Sequence, residues 1–153
     1  MDAAATEHLG AAIAAAFDGA VRGVILLRGD LGAGKTTLAR GCLRAFGVPG
    51  TIKSPTYTLF EPYAVGRTQV LHMDLYRLAD PDELWQLGLD AYPPEEALWL
   101  VEWPERAGGG LPAAVLEVEL RHSGARREAC LKGDGRLLDR IEGAAGVESK
   151  GVC

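Results

Sequence analysis

Residues 29–36 have the types and the spacing of a phosphate-binding loop. They form a complete G-x-x-x-x-G-K-[ST] pattern, which reads Gly29-Asp30-Leu31-Gly32-Ala33-Gly34-Lys35-Thr36. The glycines allow backbone N–H groups to point inward around a polyphosphate, the Lys35 ammonium adds a positive charge at the β- and γ-phosphates, and the Thr36 hydroxyl is suited to bind Mg²⁺. The pattern therefore predicts a site for a nucleotide and its Mg²⁺ ion.

The residues on either side of this loop predict the elements that position it. An apolar run directly precedes the loop and is typical of a buried strand, Val24-Ile25-Leu26-Leu27. Residues 37–46 have the composition of a helix that ends at Gly47. The positive end of the helix dipole then faces the bound phosphates. This strand–loop–helix context separates the motif from an ordinary glycine-rich turn.

Two carboxylates are candidates for the acidic residue that a Mg²⁺ site needs beside the loop. Asp74 follows the apolar residues 70–73, and Glu102 follows the apolar residues 97–101. Both are placed to reach a nucleotide, because ligands of open α/β sheets bind at the carboxyl ends of strands. Glu102 has the better context, since its strand is apolar throughout and is expected near the centre of the sheet. For each acid the alternative is a surface carboxylate that caps a turn, and His72 is favoured as a hydrogen-bonded structural residue over a catalytic base.

Residues 54–58 are a candidate switch segment. They lie between the loop helix and the next predicted strand and read Ser54-Pro55-Thr56-Tyr57-Thr58. In nucleotide hydrolases, segments at this place supply a hydroxyl or a backbone N–H group to the γ-phosphate. The alternative is a simple proline turn that leads into a strand.

The pattern of the remaining residues predicts an α/β domain. Apolar spacing and turn residues predict, in chain order, a helix over residues 6–17 with Thr6 as its N-cap, a hairpin of strands 59–63 and 69–73, a helix from Asp80 to Gly88, a buried strand 97–101, strands 115–120 and 128–132, and a short helix around residues 137–141. The hairpin excludes a purely parallel sheet. We therefore expect a P-loop NTPase-like fold, with a mixed parallel and antiparallel sheet flanked by helices, as one domain over residues 1–142 and a flexible tail over residues 143–153.

Composition and charge limit the possible functions. The chain has 153 residues, a net charge of -5 and 48% hydrophobic residues, and the acidic balance argues against binding nucleic acid by charge alone. No apolar stretch approaches the roughly 20 residues that cross a bilayer, and the start lacks the basic segment of a signal peptide. We expect a cytoplasmic protein without membrane association. Its cysteines lack a C-x-x-C spacing and favour reduced thiols at Cys42, Cys130 and Cys153.

Other nucleotide-dependent functions leave distinct signatures. A GTPase needs an Asn/Thr-Lys-x-Asp segment to recognise guanine, but the chain contains no Asn and its nearest string is Leu131-Lys132-Gly133-Asp134. A small-molecule kinase is the main alternative to an ATPase, and it needs an arginine-bearing lid over an acceptor pocket. Residues 121–127 carry arginines and serve as such a lid only if they form a loop. A nucleotide-switched assembly factor is the third possibility.

Several segments of the chain resemble the TsaE (YjeE) family in both order and spacing. They are Gly29-Asp30-Leu31-Gly32-Ala33-Gly34-Lys35-Thr36-Thr37, Ser54-Pro55-Thr56-Tyr57-Thr58-Leu59, Glu61-Pro62-Tyr63, His72-Met73-Asp74-Leu75-Tyr76-Arg77-Leu78 and Val101-Glu102-Trp103-Pro104. The resemblance covers nearly the whole chain. It departs at Met73, where the family often has Phe, and in residues 143–153, which have no assignable counterpart.

The resemblance implies an ATPase function within tRNA modification. Members of the family are small bacterial ATPases that act with the TsaB and TsaD proteins to make N6-threonylcarbamoyladenosine at position 37 of tRNA. By this resemblance Thr36 and Glu102 would bind Mg²⁺, while Lys35 and Asp74 would complete the hydrolytic site. We accordingly expect ATP and Mg²⁺ as ligands and TsaB and TsaD as partners, without strong direct binding of tRNA.

The same resemblance extends to residues that would contact the nucleotide or respond to it. The implied nucleotide-binding residues are Thr6, Asp30, Gly32, Ala33, Gly34, Lys35, Thr36, Thr37, Trp103 and Arg127. Thr6 would lie near the adenine, Trp103 would lie beside the nucleotide, and Arg126 and Arg127 match a late basic segment close to it. Residues 54–58 and residues 84–92 would be the nucleotide-sensitive switches.

Overall fold

The computed structural model describes residues 1–146, and residues 147–153 lie outside the described part of the chain. Its elements are, in chain order, α1 (Ala3–Ala16), β1 (Gly23–Arg28), α2 (Lys35–Ala45), β2 (Phe60–Val65), β3 (Thr68–Asp74), β4 (Ala97–Glu102), β5 (Leu116–Ser123), β6 (Arg126–Gly133) and α3 (Gly135–Ala145), with 3₁₀ helices at Pro81–Leu87, Leu89–Ala91 and Pro104–Ala107. The six strands within residues 1–146 form one sheet in the order β2-β3-β4-β1-β5-β6.

The sheet combines both strand directions, as the sequence predicts. β1 pairs in parallel with β4 on one side and with β5 on the other, and β3 pairs in parallel with β4. The hairpins β2–β3 and β5–β6 are antiparallel and form the two ends of the sheet. The predicted P-loop NTPase-like mixed sheet is therefore confirmed, and the apolar strand β4 lies beside β1 with every residue buried.

Both faces of the sheet are covered, which explains the continuous apolar runs of its central strands. Ile25 and Leu27 of β1 belong to a core cluster that includes residues of α1, α2 and α3. The alternate residues Val24 and Leu26 belong to a second cluster, which includes the 3₁₀ helix residue Leu84. Since successive side chains of a strand point to opposite faces, β1 needs apolar residues at each central position.

The first helix begins earlier than the sequence predicts. α1 starts at Ala3, because the Asp2 carboxylate caps it by accepting a hydrogen bond from the Ala5 N–H at 2.8 Å. The prediction of Thr6 as the N-cap is therefore wrong. Thr6 is instead buried within α1, where its hydroxyl donates to the Asp2 carbonyl oxygen.

Two later helices also differ from the prediction in detail. The helix predicted from Asp80 to Gly88 is present as the 3₁₀ helix Pro81–Leu87, with the Asp80 side chain as its cap and Gly88 at φ 82° after it. α3 continues to Ala145 and so extends past the predicted domain boundary at residue 142. The rest of the predicted tail, residues 147–153, lies outside the described residues.

The structure tests two further predictions, which concern the state of the cysteines and the presence of a membrane-spanning helix. Cys42 is free and fully buried, and burial raises the pKa of its thiol to about 12. Cys130 is disulfide-bonded, so the prediction of a reduced thiol is wrong there, because spacing along the chain does not report which side chains meet. Cys153 lies outside the described residues. Within residues 1–146, no helix is long and apolar enough to cross a membrane.

Two glycines allow the backbones of α1 and α2 to cross closely. A Cβ atom on Gly10 would lie 2.2 Å from the Leu38 carbonyl oxygen, and a Cβ atom on Gly41 would lie 2.2 Å from the Glu7 carbonyl oxygen. These distances leave no room for a side chain in a close-packed interior. The crossing therefore fixes α1 against the helix that follows the phosphate-binding loop.

We expect Gly41→Ala to destabilise the protein, although alanine is the better helix former. Forcing α1 away from α2 should lower the free energy of unfolding by about 1–3 kcal/mol. Gly143→Ala is the matched control, because an added Cβ in that part of α3 meets no described atom within 4 Å; it should stabilise by up to about 1 kcal/mol. Thermal unfolding measures both effects, and a Gly41→Ala protein as stable as the parent would contradict the close crossing.

Candidate nucleotide-binding site

The phosphate-binding loop leaves β1 and enters α2 directly. Gly34 is the N-cap residue of α2 and has a φ of 108°, a conformation that favours glycine. Because this cap has no side chain, the first N–H groups of α2 are left for an anion. The Lys35 ammonium turns back over the loop and donates to the carbonyl oxygens of Gly29 and Asp30 at 2.5 and 2.9 Å. These bonds hold the lysine within the loop.

The Thr36 hydroxyl meets the Glu102 carboxylate on the adjacent strand. Thr36 Oγ1 donates to Glu102 Oε1 at 2.7 Å, and His72 Nε2 lies 2.6 Å from Glu102 Oε2. Glu102 ends β4 opposite Leu27 of β1 and is only 2% exposed. The structure thus brings together the two predicted metal ligands, and it places His72 as a hydrogen-bonded neighbour of one of them.

Asp74 ends β3 and contacts the first candidate switch. It lies opposite Glu102 in the parallel β3–β4 pair. Its Oδ2 accepts a hydrogen bond from Ser54 Oγ at 2.5 Å, and its Oδ1 accepts one from the Tyr76 N–H at 3.0 Å. Thr56 Oγ1 in turn donates to Ser54 Oγ at 3.4 Å. The second acid of the site is therefore joined to residues 54–58.

The backbone changes direction sharply beside each acid. Among the described non-glycine residues, only Leu59 and Trp103 have positive φ, at 68° and 56°. The Leu59 carbonyl accepts a hydrogen bond from the Asp74 N–H at 2.9 Å, and Trp103 directly follows Glu102. Such conformations cost about 1–3 kcal/mol each and often occur at functional sites. At Trp103 the turn brings the indole ring to Lys35, whose Nζ lies 4.1 Å from the ring centroid.

Lys35 is a buried cation whose charge a bound anion would stabilise. Lys35 is 4% exposed. Burial lowers the pKa of its ammonium from the ordinary value, and nearby carboxylates, first among them Glu102, act in the opposite direction. A bound polyphosphate would add negative charge at the ammonium and so favour its charged form further.

A cavity of about 400 Å³ opens onto the phosphate-binding loop and the two acids. It is lined by Leu31, Gly32, Gly34, Lys35, Thr36, Thr37, Ser54, Thr56, Asp74, Tyr76, Arg77, Glu102, Trp103 and Arg127. Three of these lining residues, Leu31, Tyr76 and Arg77, have no role predicted from the sequence. Tyr76 and Arg77 could have been identified from their position just after Asp74. A larger groove, of about 930 Å³ at the amino ends of the parallel strands, contains none of the predicted site residues.

Other predicted site residues lie around this cavity without lining it. Ala33 is buried, Asp30 contributes its carbonyl oxygen to Lys35, and Pro55 is buried in the switch segment. Tyr57 is 84% exposed, with its ring centroid 4.7 Å from the Arg77 guanidinium carbon. These residues shape the loop or the surface beside it.

Thr6 and Arg127 reach the loop from distant parts of the chain. A Cβ atom on Gly34 would lie 3.2 Å from Arg127 Nη1 and 3.5 Å from Thr6 Cγ2. The chain's N-terminal ammonium, on Met1, donates to the Arg127 carbonyl oxygen at 3.2 Å. Both residues named by the family resemblance therefore lie against the cap residue of α2.

Two other segments with predicted roles are residues 84–92, the second candidate switch, and residues 121–127, the candidate kinase lid. Residues 84–92 comprise the end of the 3₁₀ helix Pro81–Leu87, the 3₁₀ helix Leu89–Ala91 and the flanking Gly88 and Tyr92, and none of them lines the cavity. Their role as a switch stays a prediction. Residues 121–127 form the end of the β5–β6 hairpin, where Ser123 pairs with Arg126. They are strand ends joined by a tight turn, and the loop that a kinase lid requires is not formed there.

The donor set around Thr36 suits a Mg²⁺ ion bound largely through a nucleotide. Within residues 1–146, no cluster of three or more His, Cys, Asp or Glu side chains is arranged to hold a metal ion by itself. Mg²⁺ commonly keeps several waters and binds through one or two carboxylates together with substrate phosphates. One hydroxyl and one carboxylate joined at 2.7 Å, next to the open N–H groups of α2, fit that pattern.

The fold and the loop together define the class of protein. A G-x-x-x-x-G-K-[ST] loop between a central parallel strand and a helix, with acids at the ends of neighbouring strands, defines a P-loop NTPase-like α/β protein. The sequence model of the family described as "Threonylcarbamoyl adenosine biosynthesis protein TsaE" matches residues 1–129. The chain therefore belongs to the TsaE family, and the resemblance in its motifs is confirmed.

Individual relatives agree with this assignment. The "tRNA threonylcarbamoyladenosine biosynthesis protein TsaE" of Haemophilus influenzae is 48% identical over 97 residues, which cover 63% of this chain and 61% of that protein. The Bacillus subtilis protein of the same name is 39% identical over 101 residues, which cover 66% of this chain and 63% of that protein. The chain thus spans less than two thirds of either relative. The crystal structure of YdiB from Bacillus subtilis is similar at a TM-score of 0.69 and 27% identity, over 95% of this chain and 90% of that one.

Proposed function

We propose that this protein is a Mg²⁺-dependent ATPase that acts with the TsaB and TsaD proteins in making N6-threonylcarbamoyladenosine at position 37 of tRNA. One observation carries the proposal: at the start of α2, Thr36 Oγ1 and Glu102 Oε1 meet at 2.7 Å in the cavity that Lys35 also lines. A phosphate-binding loop joined in this way to an acid on the adjacent strand is suited to a nucleoside triphosphate with Mg²⁺. The family of the chain and the names of its relatives support the pathway.

Hydrolysis in such a site depends on positioning and charge, since phosphoryl transfer needs little covalent help from the protein. The N–H groups of the loop and of the first turn of α2 would bind phosphate oxygens, and Lys35 would place its charge at the β- and γ-phosphates. Thr36 and Glu102 would hold Mg²⁺, which when bound neutralises charge on the phosphoryl group. Lys35 and Glu102 are almost fully buried, so solvent screens their interactions less than it would at the surface.

Asp74 is the residue that we assign to the attacking water. The water oxygen forms a bond to the γ-phosphorus as the bond between that phosphorus and the β–γ bridging oxygen breaks, which gives ADP and phosphate. Asp74 would orient this water and accept its proton at the carboxylate, where Oδ2 accepts a hydrogen bond from Ser54 Oγ at 2.5 Å. Residues 54–58 are therefore bonded to the carboxylate that would take up this proton.

A small-molecule kinase is less well supported by the same geometry. Transfer to an acceptor other than water needs a lid that closes over that acceptor. The arginine-bearing residues 121–127 belong to the β5–β6 hairpin, and Arg127 lies against Gly34 of the phosphate-binding loop. Since these arginines are fixed in the sheet, hydrolysis is favoured over transfer.

Charge and exposure support a protein partner over direct tRNA binding. The net charge of the chain is -5, which does not attract a polyanion. Tyr57 is 84% exposed and belongs to the segment that Ser54 joins to Asp74. A segment with one end at the catalytic acid and another at the surface can report the nucleotide state to a partner.

We expect Lys35→Ala to remove most of the ATPase activity. Loss of the charge at the transferred phosphate should cost roughly 3–4 kcal/mol of transition-state stabilisation, which lowers turnover by about two to three orders of magnitude. Lys132→Ala, at an exposed lysine of β6, is the control and should keep the parental rate. Phosphate release at saturating ATP and Mg²⁺ is the measurement, and a folded Lys35→Ala protein with parental turnover would refute the assignment.

We expect Glu102→Gln to impair Mg²⁺-dependent hydrolysis more than nucleotide binding. The amide keeps the shape of the side chain but loses the charge that holds the metal. Asp74→Asn should stay closer to the parental metal affinity, because Asp74 acts on water. Titration of Mg²⁺ against each nucleotide-bound variant separates the two roles, and equal metal affinity in Glu102→Gln and the parent would assign the ligand to another residue.

Partner binding should depend on the nucleotide. We expect the affinity for a TsaB–TsaD complex to differ between the ATP-bound and ADP-bound states, because the γ-phosphate and Mg²⁺ order switch segments and hydrolysis releases them. Bulk tRNA should bind weakly and lose affinity as salt rises. Binding in each state is measured beside multiple-turnover tRNA modification. No binding in any state, or sustained modification without this chain, would mean that the pathway is wrong.

A further inference from the structure

His72 is a buried polar residue to which the proposed hydrolysis gives no task. It is 0% exposed and does not line the cavity. On β3 it lies opposite Leu100 of β4, so its ring shares the face of the sheet that carries Glu102. Its Nε2 contacts Glu102 Oε2 at 2.6 Å. Within residues 1–146, its Nδ1 is a buried atom with no hydrogen-bond partner.

The isolated Nδ1 indicates where the ring proton lies. Glu102 already accepts a hydrogen bond from Thr36 at Oε1, and an ionised carboxylate accepts at both oxygens. A proton on Nδ1 alone would bury an N–H donor without an acceptor and would set two acceptors, Nε2 and Oε2, against each other at 2.6 Å. A proton on Nε2 pairs this nitrogen with Oε2, and a lone pair on Nδ1 leaves no N–H donor buried without an acceptor.

We propose that His72 is a positioning residue for Glu102: its Nε2–H holds Oε2 and so presents Oε1 to Thr36 and to the metal ion. This inference rests on the proposed function, in which Glu102 is a metal ligand. The terminal torsion of a glutamate is broad and lets its two oxygens exchange. A fixed hydrogen bond to one oxygen removes that freedom, and the loss of such a partner commonly changes metal affinity by about 10- to 100-fold.

The burial of His72 separates this role from that of a catalytic base. A base must reach the proton that it takes, directly or through one water. Asp74 lines the cavity, whereas His72 does not. The Glu102 carboxylate, whose Oε1 meets Thr36, lies between His72 and the loop. His72 therefore acts on the site through Glu102.

The position of the ring proton gives a first test that needs neither nucleotide nor metal. In protein treated with EDTA, nitrogen NMR distinguishes a lone-pair ring nitrogen from an N–H nitrogen. His8 and His122 are exposed, and the His72 signals are assigned by their loss in His72→Gln. We expect the proton on Nε2. A proton on Nδ1 alone overturns the proposal, because the ring then cannot donate to Glu102.

Metal affinity in the ADP-bound protein gives a second test, with Mn²⁺ as a paramagnetic probe of the Mg²⁺ site. His72→Gln keeps an amide donor near the position of Nε2, whereas His72→Asn is too short and His72→Leu has no donor. We expect Mn²⁺ binding to weaken by about 10- to 100-fold in the Asn and Leu variants and to stay close to parental in the Gln variant. Met73→Leu is the packing control, since Met73 is fully buried in the other core cluster.

The outcomes separate positioning from packing. Thermal unfolding and ADP binding in EDTA check that each variant is folded. If His72→Leu is less stable but binds Mn²⁺ as the parent does, His72 only packs and the proposal is overturned. If the parent itself binds no Mn²⁺ with ADP, the proposed function fails, and the ring proton still decides whether His72 holds Glu102.

Discussion

The parallel register of β1, β4 and β3 is the constraint on which the site depends. Leu27 lies opposite Glu102, and Glu102 lies opposite Asp74, so the loop after β1 and both acids meet at one edge of the sheet. A slip of one residue in β4 would turn Glu102 to the other face, away from Thr36. Because β4 is otherwise apolar, its pattern does not fix this register. Trp99 helps to fix it, since its ring nitrogen donates to the Tyr92 carbonyl oxygen at 2.8 Å.

The register also determines how the buried charges are satisfied. An unpaired charge in the interior is strongly destabilising. Glu102 avoids this through its contacts with Thr36 and His72, and Lys35 avoids it through the loop carbonyls and the Trp103 ring. The lysine and the acid are therefore held in place by the protein alone. Under the proposed function, little rearrangement would be needed when a phosphate binds, and fixed charges of this kind stabilise a transition state best.

How far the sequence predicts this structure depends on how local each feature is. The phosphate-binding loop and the β2–β3 hairpin are predictable, because adjacent residues specify them. The placement of Thr6 and Arg127 beside Gly34 is not, because it depends on a helix crossing and on a strand pairing that no local pattern encodes. Only the family resemblance points to these two residues. The His72–Glu102 contact is hidden for the same reason, since it needs the β3–β4 register.

Asp74 holds the candidate switch segment, residues 54–58, at Ser54 and at Leu59, the residue that directly follows the segment. Ser54 Oγ donates to the Asp74 carboxylate, and the Leu59 carbonyl accepts from the Asp74 N–H. The Leu59 end is a backbone contact at a residue with positive φ, so it does not respond to the charge on the carboxylate. The Ser54 end does respond, because a hydrogen bond to an ionised carboxylate weakens when that carboxylate takes up a proton. Under the proposed function, hydrolysis would therefore release one end of the segment while the other stays fixed, and the exposed Tyr57 between them would move.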